Sequence, residues 1–358
     1  MAITAMNGVL SFGPQPAKGT AASTTFYKHR ASDIDLSTIS DDRLGPPEVG
    51  GQPVPTIPYR AGVVAAGGAT LLPRLQNTLG WLLYGAVGAV ATTANQDVLG
   101  TTVTGFFNHG FTFASDSTYL PWMTWRKYTP GTNTASAMGE VFRDTKIISF
   151  TLGLPNDGLI TSRVDVLGCM PSYADPTAWT YTNTNWEDYQ SIPIGCVTTG
   201  YMQIPSFSGS DLPIVAGTLT FANAPLDMRQ ERVYGDPYLQ DITIIARSLA
   251  VDLIIKWEDP QLYKKLMTGT TSGMSWTMAP YVANLDVLCV SSRLAILTTP
   301  WQLRVRSDNV MYQMNGGIRL AGNGSVMMRL TGTVIAPTSG AAYTVNLGNT
   351  NTSYVWPT

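Results

Sequence analysis

Residues 241–269, DITIIARSLAVDLIIKWEDPQLYKKLMTG, combine a strand and a helix in one uninterrupted run. Alternate positions in the first half are apolar, and the positions between them are mostly small or polar. This period of two predicts a strand buried on one face, with a bulge near Ile244 and Ile245 where the phase changes. Pro260 suits the first turn of the helix that follows, and Gly269 suits its end.

The composition favours an all-β protein with many loops. Only 13% of the 358 residues are charged, whereas glycine, proline and small polar residues are abundant. The net charge of −2 indicates no general polyanion-binding surface. Three widely spaced cysteines argue against a disulfide framework or a zinc site and fit a reducing cytoplasm. No signal peptide is visible, and the apolar run at 79–91 is too short for a bilayer. We therefore expect a soluble, intracellularly made protein.

A strand followed by proline and a helix occurs a second time, at residues 61–91. There Pro73 precedes a helix with Leu75, Leu79 and Leu82 on one face. Each copy is followed by a strand that begins with Pro-Trp and then by a hairpin with a glycine turn. The matching order predicts a structural duplication. The alternative is that β-rich segments share such features by chance.

The duplication divides the chain into five parts. We predict an N-terminal extended arm at 1–60, a first β domain at 61–170, a long hairpin or linker at 171–225, a second β domain at 226–341 and a C-terminal arm at 342–358. Arms without a core of their own dock on their own domain or on a neighbouring subunit, or remain disordered. We expect contacts with neighbours, so deletion of residues 1–45 should leave a folded protein that no longer assembles.

The segment between the domains is rich in aromatic residues. We assign these to a subunit interface, where Trp and Tyr are enriched, and a sugar-binding platform is the alternative reading. The candidate interface residues are Tyr173, Trp179, Tyr181, Trp186 and Tyr189.

The sequence contains little chemistry for catalysis. Only His29 and His109 are available for a histidine-centred site, and no nucleophile elbow, phosphate-binding loop or dinucleotide motif is present. The aspartates at 33–42 lack the spacing of a calcium loop and fit a solvated turn better. We predict no enzyme activity, no catalytic residue, no cofactor and no metal.

Several stretches together resemble the major tail tube proteins of long-tailed, siphovirus-type bacteriophages. They include QPAKGTAASTTFY (15–27), GATLLPRLQNTLGWLLYGAVG (68–88), FNHGFTF (107–113), LPWMTWRK (120–127) and TKIISFTLGLPNDGLITSRVDVLGCMP (145–171), with 236–269 and the last hairpin in the second half. No one motif is diagnostic. The ordered set covers most of residues 14–335.

The resemblance implies a mainly β fold with two tandem β-sandwich or barrel domains, each with a short flanking helix. It implies a structural virion protein that forms stacked rings around a channel for DNA. Two domains in one chain suggest trimeric rings with pseudo-sixfold symmetry, with hexameric rings as the alternative. Implied partners are further copies, a tape measure, a tail terminator, a distal tail protein and double-stranded DNA in transit, but no membrane. A capsid, decoration or baseplate protein and a carbohydrate-binding adhesin are the alternatives, and a hydrolase is the least favoured.

The alternating pattern also predicts which side chains face that channel. The apolar face of each wall strand must be buried, since burial of one such side chain is worth about 1.5–3 kcal/mol. We therefore expect Asp165 to offset Arg163, and Asp252 to offset Lys256, on the face that lines the lumen. The candidate lumen residues are Ser149, Thr151, Thr161, Arg163, Asp165, Ser248, Ala250, Asp252, Lys256, Arg329 and Thr331.

Overall fold

The computed structural model describes 13 stretches of the chain. These are residues 7–22, 25–46, 54, 57–113, 120–131, 137–182, 189–197, 199–205, 212–256, 260–296, 298–315, 326–337 and 340–354. As expected, the fold is mainly β, and its strands form one connected antiparallel sheet.

The first half of the chain contributes ten strands and the longer helix. The strands are β1 (Val9–Pro14), β2 (Tyr27–His29), β3 (Ala31–Ile34), β4 (Ser37–Leu44), β5 (Pro58–Leu71), β6 (Gly88–Gln96), β7 (Thr102–Phe113), β8 (Met123–Thr129), β9 (Met138–Leu154) and β10 (Thr161–Ala174), and the helix is α1 (Thr78–Val87). Helix α1 ends at Gly88, whose positive φ of 90° is a conformation that glycine adopts without steric cost.

The second half contributes seven strands and a shorter helix. The strands are β11 (Tyr201–Gln203), β12 (Ile214–Pro225), β13 (Ile244–Lys256), β14 (Tyr281–Ile296), β15 (Thr299–Met314), β16 (Met327–Val334) and β17 (Thr344–Asn349), and the helix is α2 (Gln261–Thr268). Leu249 and Leu253 of β13 are fully buried, and its pairing with β12 shifts register between Ile244 and Ala246. The predicted burial phase and bulge are therefore confirmed.

One order of strand pairing occurs twice. In the first set β4 pairs with β5, β5 with β10, β10 with β9 and β9 with β8. In the second set β12 pairs with β13, β13 with β16, β16 with β15 and β15 with β14. Both sets run along the chain as a hairpin, a helix and three consecutive strands, and β6–β7 is inserted in the first. We call them the first and second repeat; β9 pairs with β12 and joins them.

Two details of the sequence comparison need correction. The Pro-Trp pair at Pro121 precedes β8, whereas the pair at Pro300 lies in β15, and these strands hold different places in the two repeats. The segment predicted as a long hairpin or linker, 171–225, includes β12, which is a full strand of the sheet and begins the second repeat. The glycine turn predicted at 321–324 lies outside the described residues.

The two helices differ in their surroundings. Nine of the ten residues of α1 are buried, and α1 packs against β6, β7, β9 and β12. In α2, Leu262 alone is buried, and the contacts are to β14 and β15. Helix α1 is therefore a central core element, which corrects the expectation of a flanking helix, while α2 lies at the surface.

The described parts of both predicted arms belong to the fold of their own chain. Phe12 of β1 and Phe26 are buried, and β1 pairs with β2 and β8. At the other end β17 pairs with β15 and β7, and Tyr343 and Tyr354 are buried. The apolar side chains of these segments therefore complete the chain's own core, and the expected contacts with neighbouring subunits stay a prediction.

Neither α1 nor α2 has the length and hydropathy of a membrane span, and the described part of the chain offers no other candidate helix.

Candidate functional site

The candidate surface is one face of the sheet that runs across both repeats. One row of paired residues crosses seven strands, β5, β10, β9, β12, β13, β16 and β15. It consists of Thr70, Arg163, Thr151, Thr220, Ala250, Thr333 and Met311. We call the side of the sheet that carries this row the polar face. The side chains of neighbouring residues in these strands point to the opposite face and form the core.

The core side of the same strands is fully buried. Phe150, Val164 and Leu253 have no accessible surface, and Phe221 of β12 lies in the same layer. The alternation that separates polar from apolar side chains therefore continues through the junction between β9 and β12. The burial phase is the one that the sequence predicts.

All eleven candidate lumen residues lie on strands of this face and none is buried. Thr161, Ala250, Lys256 and Arg329 are exposed. The remaining seven are half-buried, namely Ser149, Thr151, Arg163, Asp165, Ser248, Asp252 and Thr331. Pairing places Thr151 opposite Arg163 and Asp252 opposite Thr331, so each repeat brings its candidates together.

The sequence analysis missed the residues that β12 adds at the centre of the face. Thr218, Thr220 and Ala222 are accessible there, and Leu219 and Phe221 between them are buried. Their alternation was visible in the sequence, but the segment was assigned to a hairpin or linker between the domains and not to the wall. Thr220 pairs with Thr151 of the first repeat and Ala250 of the second, which makes it the link between the two sets.

Arg163 is bound by two carboxylates on the polar face. Its Nε lies 2.8 Å from Oδ1 of Asp165, and its Nη2 lies 2.7 Å from Oδ2 of Asp35. The hydrogen bond from Arg163 lowers the pKa of Asp35, and the same contact raises the pKa of Arg163. The predicted pairing of Asp165 with Arg163 is confirmed, and Asp35 is an additional partner that sequence spacing alone did not indicate.

Asp252 in the second repeat binds a different cation from the one expected. Nε of Arg329 donates to Oδ1 of Asp252 at 2.8 Å, across the β13–β16 pairing. The expected partner was Lys256, four residues along the same strand. A cross-strand neighbour is closer, because adjacent strands are separated by about 5 Å whereas four residues along a strand span about 13 Å.

The polar face ends where residues 226–243 cross over β5 and β10. The main-chain N–H of Val63 donates to the carbonyl of Pro237 at 2.8 Å, and Leu239 and Ile242 pack on Leu167. Buried Lys146 donates to the carbonyl of Ile242 at 2.8 Å. The open part of the face therefore lies toward the β9–β10 turn and the second repeat.

Four of the five aromatic candidates for an interface lie among the described residues. The ring of Trp179 lies 5.3 Å from the guanidinium of Arg126, and the ring of Tyr181 lies 5.6 Å from the ammonium of Lys28. Tyr173 and Tyr189 are exposed. Trp186 lies outside the described residues. Trp179 and Tyr181 therefore pack against their own chain.

The histidines and the buried cysteines are in environments that suppress their ionised forms. Burial, with the nearby charge of Arg74 adding to it, lowers the pKa of His29 to about 3. Burial raises the pKa of Cys169 and Cys289 to about 12. The described ranges contain no group of three His, Cys, Asp or Glu side chains placed to hold a metal ion.

No protein-family model matches this chain, and comparison with curated proteins finds no match.

Proposed function

We propose that this chain is a structural virion protein whose copies assemble into stacked rings, forming a tail tube through which DNA passes into the host. The polar face would line the channel. The side chains of the buried face would pack the wall strands against the outer strands and α1. The observation that carries the proposal is the continuity of the polar face across the β9–β12 junction. A wall that continues from repeat to repeat inside one chain is the unit from which a closed tube can be built.

The chemistry of the face supports a conduit rather than a binding site. Threonines and small residues form most of it, and Arg163 and Arg329 each contact a carboxylate. A surface that holds DNA neutralises phosphates with lysine and arginine, and its affinity rises with the number of such contacts. Arginines that already bind aspartates are less available for contacts with phosphates. This suits a surface that DNA passes without being retained.

The repeated pairing order supports a particular ring. Two equivalent sets of five strands in one chain give six equivalent positions in a ring of three copies, which is the trimer with pseudo-sixfold symmetry. A ring of six copies would contain twelve such positions. The proposal therefore includes trimeric rings, contacts with other tail proteins at the two ends of the tube, and passage of double-stranded DNA without sequence-specific contacts.

Negative-stain microscopy of the purified protein tests the proposal. Concentrated protein should form hollow tubes of uniform diameter. Closed shells would favour a capsid role, and particles that remain monomeric at all concentrations and salt conditions would refute self-assembly.

A further inference from the structure

Three of the four most exposed large apolar side chains among the described residues lie in the loop between α2 and β14. Met274, Trp276 and Met278 are exposed at 88%, 77% and 103%. Burial of one such side chain would be worth about 1.5–3 kcal/mol. Exposed apolar side chains that cluster in this way control how a protein associates with other apolar surfaces. The loop therefore presents an apolar face to solvent.

Hydrogen bonds hold the backbone of this loop. The N–H of Thr277 donates to the main-chain oxygen of Met267 in α2 at 3.1 Å, and the N–H of Ala279 donates to Oγ1 of Thr277 at 3.2 Å. Trp276 and Met278 are the neighbours of Thr277 in the sequence, so these contacts also fix where their side chains begin. The exposure of the two side chains is therefore a feature of the folded loop.

Met278 also stands at the mouth of an apolar groove beside α2. The groove has a volume of about 520 Å³ and is lined by Leu266, Met267, Trp276, Met278, Tyr281 and Met314 among others. Met267 and Met314 are half-buried, whereas Met278 is fully exposed. A change in the polarity of Met278 therefore alters the entrance of the groove before it alters the inner wall.

A thioether in contact with solvent reacts with a peroxide. A lone pair of the sulfur attacks one peroxide oxygen, so that an S–O bond forms while the O–O bond breaks. The proton of the transferred oxygen passes to the departing hydroxide, which leaves as water. The sulfur loses two electrons and the peroxide gains them. The product, methionine sulfoxide, is polar and chiral, and reductases specific for each sulfoxide epimer reverse the reaction.

We propose that Met274 and Met278 form a redox-sensitive modification site whose co-reactant is a peroxide, and that their oxidation turns the apolar face of this loop into a polar one. Exposure selects this pair over the other described methionines. Three further methionines are exposed at 41–42%, namely Met138, Met228 and Met327. Two are buried at 0% and 3%, namely Met123 and Met328. The site goes beyond the proposed assembly and does not depend on it.

A time course with dilute hydrogen peroxide, followed by peptide mapping with tandem mass spectrometry, tests the site on the folded protein. Each methionine gains one oxygen atom when it is oxidised. Met274 and Met278 should react about twofold faster than Met138 and Met228, in keeping with their greater exposure. They should react at least about tenfold faster than Met123, which becomes accessible when the chain opens.

Retention on a phenyl column tests the change in polarity. Oxidised wild-type protein should elute earlier than untreated protein, and treatment with the two kinds of sulfoxide reductase should restore the original elution. Met274→Leu with Met278→Leu keeps the apolar surface but removes both thioethers, so peroxide should leave its elution unchanged. Met138→Leu with Met228→Leu is the matched control and should shift as the wild type does. All four positions are exposed, so both double variants should unfold as the wild type does in urea.

Three results would overturn the inference. Equal oxidation rates at Met138 and Met274 would show that the loop is not the preferred site. A shift in elution that persists in Met274→Leu with Met278→Leu would place the change of surface elsewhere. Complete oxidation of Met274 and Met278 without any shift would show that the two sulfoxides do not alter the apolar face.

Discussion

Nδ2 of Asn223 in β12 lies 2.9 Å from the main-chain oxygen of Ala86 in α1, and also 2.9 Å from that of Ile147 in β9. The second repeat thus donates hydrogen bonds to the helix and the wall strand of the first. Asn223 is buried at 2% exposure, so neither carbonyl has water as a ready substitute.

Asn223→Leu changes the size of the side chain little. It should therefore destabilise the protein mainly through the lost hydrogen bonds. Loss of both donors leaves two buried acceptors unsatisfied, at about 1–3 kcal/mol each. We expect the free energy of unfolding to fall by about 2–4 kcal/mol in chemical denaturation. Thr220→Val, on the polar face of the same strand, is the control and should change it by less than about 0.5 kcal/mol. Equal effects of the two changes would show that Asn223 does not link the repeats.

Deletion of residues 1–45 should abolish cooperative folding. It removes β1 to β4 with Phe12, Phe26 and Leu36, all buried at 0–1% exposure. A milder form of the test is Phe12→Ala, for which we expect a loss of about 3–5 kcal/mol. Tyr189→Ala, at a residue 72% exposed, is the matched control and should be nearly neutral. A truncated protein that unfolds as cooperatively as the full chain would contradict the described fold of this segment.

The sequence was sufficient to predict the burial phase of the wall strands, but it was insufficient to predict which strands the arms pair with. The reason is physical. Over residues 149–154 of β9 and 248–253 of β13, large apolar residues alternate with small or polar ones, so burial phase and polar face follow there from period two. Residues 1–60 and 342–358 lack long alternating runs, and their strands are short. What holds β1 and β17 is pairing with β8, β7 and β15, which are distant in sequence and cannot be inferred from local pattern. The partner of Asp252 was missed for the same reason.

Adding positive charge to the polar face should make assembled tubes retain DNA. Asp165→Lys with Asp252→Lys removes one of the two carboxylates that bind Arg163 and the carboxylate that binds Arg329, and it adds two cations per chain. Tubes should still form, but they should bind double-stranded DNA with an affinity that falls steeply with salt, and ejection from particles should slow. Leu99→Lys, at an exposed site in the turn between β6 and β7, which are not strands of this face, adds charge elsewhere and should have little effect on ejection. Similar retention by both variants would argue against a lumenal polar face.

The stability of the protein should fall as the pH drops below about 6.5, partly through His29. Burial holds the pKa of His29 at about 3 in the folded chain, whereas its ordinary value is 6.5. Below 6.5 the unfolded chain therefore binds a proton that the folded chain does not. Each pH unit then costs about 1.4 kcal/mol, and full stability is present above 6.5.

His29→Asn keeps a polar group beside Thr78, whose Oγ1 lies 2.7 Å from Nδ1 of His29, but it does not titrate. Its free energy of unfolding should be lower than that of the wild type at pH 7. Between pH 6 and 4.5 it should decline less steeply, by up to about 1.4 kcal/mol per unit. Urea denaturation at several pH values measures both slopes, and parallel curves for the two proteins would rule out His29 as the titrating group.

The central claim is that the polar face lines a channel, and electron cryomicroscopy of the assembled protein tests it most directly. The account predicts hollow tubes built from three copies per ring, with Thr151 and Thr220 facing the axis and Phe150 and Phe221 buried in the wall. A tube whose channel is lined by other strands, or an assembly without a channel, would contradict it.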